Sequence, residues 1–438
     1  MTESTRPRAA VLTLGCRVNQ YESEAIEAKL EALGFELADF SEVCDVYIIN
    51  TCAVTGESER KSRQMIRRAI SRNPSGFVLV TGCFSQLKAE EVSRISGVDY
   101  ICGNRNKGTV AEYAARLVKE GVKKGSAICA VSGLLETPLE KLTLPHARRA
   151  RAYVKIEDGC DNHCTYCIIR KARGSVVSRL PEEVLAQVRM LASDGCSEVI
   201  LTGIETASYG KDIGGYPLSR LMAEVAHIDG IHRVRTGSLD PSVLTKPFCD
   251  EIAVQPHIMP SFHLSLQSGS NAVLAAMKRR YSRERVIENT AYLRSVMPKV
   301  TFTCDIIVGF PGETEEDFLA TMDIAEKIGF LHMHIFPFSA REGTPAADMA
   351  RQIPESLKQE RLHRLKSLGE KISAAIYEKA LGEIRNVLFE TKDGDFYVGH
   401  SEDMLEVKMR SDEPIAGRIL PVKLTDFDGI RLTAQPIL

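Results

Sequence analysis

The sequence has almost no excess of either charge. Its 56 lysines and arginines face 58 aspartates and glutamates, a formal net charge of −2. A global basic field of the kind that gathers nucleic acid is therefore absent, and any phosphate contact has to be local. No long apolar run is present that could span a membrane. Met1 to Arg8 has no apolar stretch of the kind that marks a secretory signal, so the expectation is a cytoplasmic protein without a membrane partner. Without export, twelve cysteines point to metal or redox use rather than disulfides. A second Cys-x-x-Cys unit, the usual partner in a four-coordinate structural zinc site, is also missing.

What is present is a thiolate-rich loop. Gly159-Cys160-Asp161-Asn162-His163-Cys164-Thr165-Tyr166-Cys167 follows the strand-like run Tyr153-Val154-Lys155-Ile156. Cysteines spaced four and then three apart suit an iron–sulfur cluster. Three local thiolates cannot close a [4Fe–4S] site, so one iron is left for a non-protein ligand. S-adenosylmethionine could chelate there and be cleaved to a radical, a chemistry that belongs to the cofactor.

At 438 residues the chain exceeds what one core usually serves. Toward the N-terminus three buried-strand patterns (Ala9 to Leu14, Val46 to Asn50, Phe77 to Thr81) alternate with helical stretches (Ser23 to Leu33, and the basic Glu59 to Arg72). That alternation predicts a parallel α/β sheet, whose ligands bind beyond the carboxyl ends of its strands. Cys16, Cys52 and Cys83 each lie one or two residues past such an end. Their separations of 36 and 31 residues fit no linear motif, yet the fold would bring all three to one edge as a second three-cysteine cluster site. Cys44, Cys102, Cys129, Cys196, Cys249 and Cys304 read as buried packing residues.

From the Cys160 loop onward, strands (Glu198 to Thr202, Arg233 to Thr236, Phe262 to Leu266, Thr303 to Val308, His332 to Phe336) alternate with helices (Pro181 to Ser193, Leu218 to Ala226, Arg283 to Ser295, Glu315 to Ile328). With the strand before Cys160 these make six βα units, an open, partial (β/α) barrel with its chemistry at the carboxyl ends of the strands. Those ends carry Gly203-Ile204-Glu205, Gly237-Ser238, Gln267-Ser268-Gly269 and Gly309 to Gly312. Gly203, Ser238 and Gln267, with Tyr166 of the loop, are the expected cofactor-binding residues. The histidines are scattered and none is assigned a catalytic role. A helix over Pro354 to Leu381 then leads into five short strands with Asp-Gly turns, a small β-barrel. From Tyr377 onward eight basic residues face twelve acidic ones, so this barrel is not a basic RNA platform. RNA contact is expected instead at Arg148, Arg149 and Arg151, and at Lys278, Arg279 and Arg280. Arg63, Arg67, Arg68 and Arg72 rank lower, because helical spacing spreads them around a solvated face.

Taken together, the motifs resemble those of the radical-SAM methylthiotransferases over nearly the whole chain. Leu14-Gly15-Cys16-Arg17-Val18-Asn19-Gln20-Tyr21-Glu22-Ser23, Asn50-Thr51-Cys52-Ala53-Val54 and Gly82-Cys83-Phe84-Ser85-Gln86 are similar to the family's N-terminal cluster motifs. Cys160-x-x-x-Cys164-x-x-Cys167 with Arg173-Gly174 resembles its radical-SAM signature, and the last barrel its TRAM domain. Gly237 to Pro241, Leu266 to Ser270 and Asp305 to Thr314 extend the match. The Cys16 motif is most similar to the branch acting on threonylcarbamoyladenosine at position 37 of tRNA. Arg17, Arg170 and Glu205-Thr206 depart from the usual residues.

The resemblance implies an N-terminal α/β domain (6–135), a radical-SAM core (146–375) and a TRAM-like barrel (376–438). It implies two 4Fe–4S clusters, S-adenosylmethionine as methyl donor and radical source, tRNA as substrate, and an electron donor such as flavodoxin or ferredoxin. Cys160, Cys164 and Cys167 would hold the cluster that cleaves S-adenosylmethionine, and Cys16, Cys52 and Cys83 the one that carries sulfur. The alternatives are methylthiolation of isopentenyladenosine or of a ribosomal protein side chain, or a two-cluster electron carrier. The last is disfavoured because carriers need fully ligated clusters.

Overall fold

The computed structural model describes residues 6–437 except 122, 124, 135–141 and 145–149. Its contacts divide the chain into two compact units. Unit 1 takes residues 1–145, 157–177 and 339–347, and unit 2 takes 146–156, 178–338 and 348–438. The cysteine loop thus belongs to the same unit as the N-terminal sheet, and the C-terminal barrel to the same unit as the central strands.

Unit 1 is built on a six-stranded, all-parallel sheet: β1 (Arg8–Thr13), β2 (Glu36–Leu37), β3 (Val46–Thr51), β4 (Phe77–Gly82), β5 (Tyr100–Cys102) and β6 (Ile128–Ala130), in the order β2-β1-β3-β4-β5-β6. Helices cover both faces, so β3 and β4 are buried at every residue and read as unbroken apolar runs. Strand alternation sorts them: Tyr47, Ile49, Val78 and Val80 pack with Ile66, Ala69 and Phe84. Val46, Ile48 and Leu79 pack with Ile26, Leu30 and Ala114 on the other side. Each such aliphatic side chain contributes about 1.5–3 kcal/mol by leaving water. The strands not anticipated (β2, β5, β6) have two or three residues, too few to show a period. Cys129, expected in the core, is exposed on the edge strand β6, whose short, half-covered run does not bury it.

Unit 2 holds the central strands β7 (Arg151–Lys155), β10 (Glu198–Thr202), β11 (Arg233–Thr236), β12 (Ser238–Leu239), β13 (Ser261–Gln267), β14 (Thr301–Val308) and β15 (His332–Pro337). The short strands β8 (Glu157–Asp158) and β9 (Val177–Ser178) flank the cysteine loop in sequence. The expected six-stranded wall is present with its third strand broken at Gly237. One parallel sheet runs β11-β10-β7 and the other β12-β13-β14-β15. Gly237 donates its N–H to Leu201 O, the last bond to β10, and Ser238 opens the pairing to His263. Helices Pro181–Ser193, Leu218–Ala226, Arg283–Val296 and Glu315–Ile328 pack outside. Thr314 and Asp317 start the last of these with a reciprocal capping box.

The 25-residue helix Glu355–Lys379 leads to Gly382, whose φ of 82° turns the chain into a closed five-stranded barrel. Its strands are β16 (Ile384–Asp393), β17 (Phe396–Ser401), β18 (Glu406–Arg410), β19 (Ile419–Phe427) and β20 (Leu432–Pro436). A buried charge network ties this barrel to the central strands. Arg151, Arg233 and Arg235 converge on the fully buried Glu198, while Arg233 donates to Asn386 O at 2.6 Å and Arg235 to Ser401 O at 2.9 Å. Burial alone would push the Glu198 carboxyl up, but the three guanidinium groups hold it below the usual carboxylate range. Among the described residues no helix is long and apolar enough to cross a membrane.

Candidate functional site

The sheet order of unit 1 places a topological switch point between β1 and β3, the position at which open α/β sheets bind ligands. Cys16 caps the helix that follows β1, Cys52 follows β3, and Cys83 opens the short helix after β4. Parallel register sets Thr13 opposite Asn50 and Thr51 opposite Gly82, so the three chains turn off the sheet side by side. Two glycines permit it. A Cβ on Gly15 (φ 94°) would lie 2.7 Å from Cys52 Sγ, and one on Gly82 (φ 104°) would strike the Thr51 backbone. Cys52 and Cys83 are buried, whereas Cys16 reaches solvent. Burial pushes the Cys52 thiol up to about 11, and its neighbours Cys83 and Cys16 add to the effect.

The Cys160 loop is the second element of the site within this unit. Gly159 (φ 87°) admits the Ser175 carbonyl where a Cβ would collide with it, and Cys160 N donates to Gly174 O at 3.0 Å. Backbone N–H groups of Asn162 and Ile169 point at Cys160 Sγ and Cys167 Sγ, each at 3.4 Å, the donors that a thiolate would require. Residues 339–347 fasten the loop: Ala346 N donates to Thr165 O at 2.9 Å and Lys171 Nζ to Gly343 O at 2.6 Å. Arg170, at a departure from the family pattern, lays its guanidinium against the His163 ring. The three loop cysteines are half-buried, as is Tyr166.

Between the two cysteine sets lies a buried ionic network that the sequence reading did not assign. Arg173 donates to Glu22 Oε1 at 2.9 Å, to both Asp158 oxygens at 3.0 Å and to Asn19 Oδ1 at 2.6 Å. Lys107 binds the same Glu22, and Asn50 Oδ1 at 3.1 Å. Asn19 in turn donates to Leu14 O and Thr51 O, the backbone just ahead of Cys16 and Cys52. Asn104 points at Cys83 Sγ from 3.6 Å while bonding Ala172 O at 2.8 Å. Burial works against the charge on Arg173, yet Asp158 and Glu22 raise its pKa well above the ordinary value. The network crosses from the sheet motif to the loop, so placement of one cysteine set is coupled to that of the other. The signal available in the sequence was the pair Asn19 and Glu22, polar residues three apart on one helix face.

Neither cysteine set is gathered as closely as a single bound ion would require. Among the described His, Cys, Asp and Glu side chains, the triad with ligand atoms all within 4.8 Å is His263, Asp305 and His334, not either cysteine set. A tetrahedral zinc at about 2.3 Å from sulfur would draw its thiolates closer than that.

The other expected residues lie in unit 2. Gly203 follows β10. Ser238 Oγ bonds Ser265 Oγ at 2.7 Å. Gln267 ends β13 with φ 65°, a left-handed conformation rare for its type and of the kind stored at ligand sites. Two of the expected RNA contacts have partners within the protein. Arg151 is almost buried and paired with Glu198 and Glu390. Arg279 is held by Asp240 at 2.6 Å and by Ser265 O. In both, an internal carboxylate takes the charge that a phosphate would need. Lys278 and Arg280 are exposed, while Arg148 and Arg149 lie outside the described residues. On the helix Gly56–Arg72, Arg63 stacks over Phe84 and bonds Glu91.

A family model described as the Radical SAM superfamily matches residues 154–325, and one described as uncharacterized protein family UPF0004 matches residues 8–103. The chain is 39% identical to the threonylcarbamoyladenosine tRNA methylthiotransferase MtaB of Bacillus subtilis (strain 168), over 94% of this chain and 92% of that protein. It belongs to the radical-SAM methylthiotransferase family. Another methylthiotransferase, MtaB of Aquifex aeolicus (strain VF5), is 37% identical over 87% of this chain and 93% of its own. The tRNA-2-methylthio-N(6)-dimethylallyladenosine synthase of Pelotomaculum thermopropionicum is 36% identical over 96% and 95%. Among solved structures, the radical S-adenosylmethionine methyltransferase TsrM from Kitasatospora setae shares the fold at 15% identity and a TM-score of 0.54, covering 78% of this chain and 77% of that one. Membership of this methylthiotransferase family implies S-adenosylmethionine and a 4Fe–4S cluster, which the half-buried loop thiols with their backbone N–H donors fit.

Proposed function

We propose that this chain replaces the C2 hydrogen of N6-threonylcarbamoyladenosine at position 37 of tRNA with a methylthio group, in the cytoplasm. The observation that carries the reading is the presence, in one compact unit, of two cysteine sets that each stop at three thiols. The substrate assignment leans on relatives bearing the threonylcarbamoyladenosine name at 37–39% identity over most of the chain. We assign the Cys160, Cys164 and Cys167 set to the radical-generating cluster and Cys16, Cys52 and Cys83 to a second, sulfur-bearing 4Fe–4S cluster. When bound, the clusters and S-adenosylmethionine supply the electron, the radical, the sulfur and the methyl group.

The chain's own contribution is placement. Gly15, Gly82 and Gly159 let backbone approach the thiols, and the Arg173 network holds the two sets in register. Gly203, Ser238, Gln267 and Tyr166 would orient S-adenosylmethionine. The C-terminal barrel would act as a TRAM-type RNA contact, with Lys278 and Arg280 as local phosphate sites and a flavodoxin or ferredoxin as electron donor. Mass spectrometry of tRNA nucleosides from cells with and without the protein tests the reading. The methylthio derivative of threonylcarbamoyladenosine should vanish with the protein, and its unmethylthiolated precursor should accumulate. Loss of the dimethylallyladenosine derivative instead, or no change in any nucleoside, would overturn it.

A further inference from the structure

We propose that His263, Asp305 and His334 form a site for a divalent metal ion, zinc by the character of its donors, on the wall of β13, β14 and β15. The site uses none of the cysteines and does not depend on the substrate reading above. Alternation along the strands creates the wall. Leu264, Leu266, Cys304, Ile306 and Met333 pack in the core. His263, Thr303, Asp305, His332 and His334 take the opposite face. Each of three adjacent strands thus supplies one ligand, and β15, the last of them, is an edge. Register sets His263 beside Thr303 and Asp305 beside His334.

The spacing suits a coordination sphere. His263 Nε2 stands 3.2 Å from Asp305 Oδ2. Two ligands of a tetrahedral zinc, each about 2.0–2.1 Å from the ion, stand roughly 3.3 Å apart. One nitrogen of His334 completes the set, with all three ligand atoms within 4.8 Å of one another. His334 is exposed, so its ring turns through the remaining distance without disturbing the core. The other nitrogen of His263, Nδ1, lies 2.8 Å from Thr303 Oγ1. A ligating imidazole is fixed in orientation and tautomer by an outer bond of this kind. With its proton on Nδ1, His263 turns a lone pair at Nε2 toward the Asp305 carboxylate, and two such bases this close need a cation between them. A proton would serve that pair alone. The second imidazole, brought up by β15, is a donor that a metal ion uses and a shared proton does not. Two imidazoles and a carboxylate suit zinc, whereas magnesium and calcium take oxygen. Within unit 2, His334 also borders a cavity of about 420 Å³ with His332, Phe336, Tyr377 and Phe427, a path for the ion and room for water as its fourth ligand. An ion so held pins the edge strand β15 to β13 and β14.

The test equilibrates the full chain, its iron already loaded, with zinc, and measures bound metal and X-ray absorption at the zinc edge. Wild type should hold about one zinc per chain with nitrogen and oxygen neighbours and no sulfur. His334→Leu and Asp305→Asn should each weaken zinc binding by about a hundredfold or more. Thr303→Val, which removes only the orienting bond, should weaken it by about ten- to a hundredfold. Zinc should raise the melting temperature of wild type and leave that of His334→Leu unchanged. Iron per chain should be the same in all four proteins, which reports that they are folded. No zinc retained by wild type, zinc with sulfur neighbours, or equal zinc affinity in wild type and His334→Leu would each overturn the proposal, and none of these outcomes bears on the substrate reading.

Discussion

The two cysteine sets reach the same ligand count by opposite routes. Cys160, Cys164 and Cys167 sit within eight residues of one loop and owe their proximity to sequence spacing. Cys16, Cys52 and Cys83 come from three parallel strand ends and owe theirs to sheet register. A local set can be disturbed without unfolding anything, whereas the assembled set is only as secure as the sheet. Arg173 links them, since its guanidinium binds the loop-side Asp158 and the sheet-side Glu22 and Asn19 at once.

The largest test of this comparison is removal of each set. Cys160, Cys164 and Cys167 changed together to Ala should abolish both product and cleavage of S-adenosylmethionine, and reduce iron from about eight to about four per chain. Ala at Cys16, Cys52 and Cys83 should also halve iron and abolish product, but should leave cleavage to 5′-deoxyadenosine measurable. A loop variant that lost all its iron, or none, would refute two separate sites.

Next in size is the link itself. Arg173→Ala leaves Glu22 and Asp158 buried without their shared cation, and should cost about 3–5 kcal/mol in urea unfolding and loosen both clusters. Glu198 in unit 2 provides the contrast, a buried ion far in sequence from either cluster. Glu198→Gln should destabilise by a similar amount without touching iron content. Because the Glu198 carboxyl is held below its ordinary range, its stabilisation is present above about pH 4.3 and lost as pH falls beneath that. The variant's stability should therefore fall less steeply in acid than the wild type's, and parallel acid limbs would contradict the pairing.

Smaller effects should separate the routes by backbone alone. Gly82→Ala and Gly159→Ala each force a side chain into a closed, left-handed position, at about 1–3 kcal/mol. The first should weaken the assembled cluster and the second the loop cluster, as read by iron per chain and by S-adenosylmethionine cleavage. The smallest change is at the surface. Lys278→Ala with Arg280→Ala should weaken tRNA binding and flatten its salt slope by up to about two phosphate contacts, with iron unchanged. An unaltered slope takes that patch out of the RNA path.

What the sequence made legible was whatever is local. Helix limits at Pro181, Leu218 and Glu315 follow from a proline start, apolar periodicity and the Thr314 cap, and the structure places those helices at the expected residues. The closed terminal barrel was likewise written in turn residues, whereas the break of the third strand at Gly237 was not anticipated. The Arg173 network was not, because its partners stand 151 and 15 positions away and only the fold makes them neighbours. The internal partners of Arg151 and Arg279 were hidden for a related reason: clustering of charge along a chain carries no information about which carboxylate lies across from it in space. Cys129 was taken for core on residue type, and strand position overruled it.

The division of the chain into interleaved segments also bears on how the protein is made. Unit 1 is completed by residues 339–347, whose Arg341 meets Glu59 and whose Ala346 bonds Thr165. At translation rates of roughly 5–20 residues per second, that clasp emerges on the order of ten to forty seconds after residue 145. Through that interval the cysteine loop lacks the bonds that Ala346 and Gly343 give it. A nascent polypeptide truncated before residue 339 should therefore hold the cysteine loop less firmly than the full chain does.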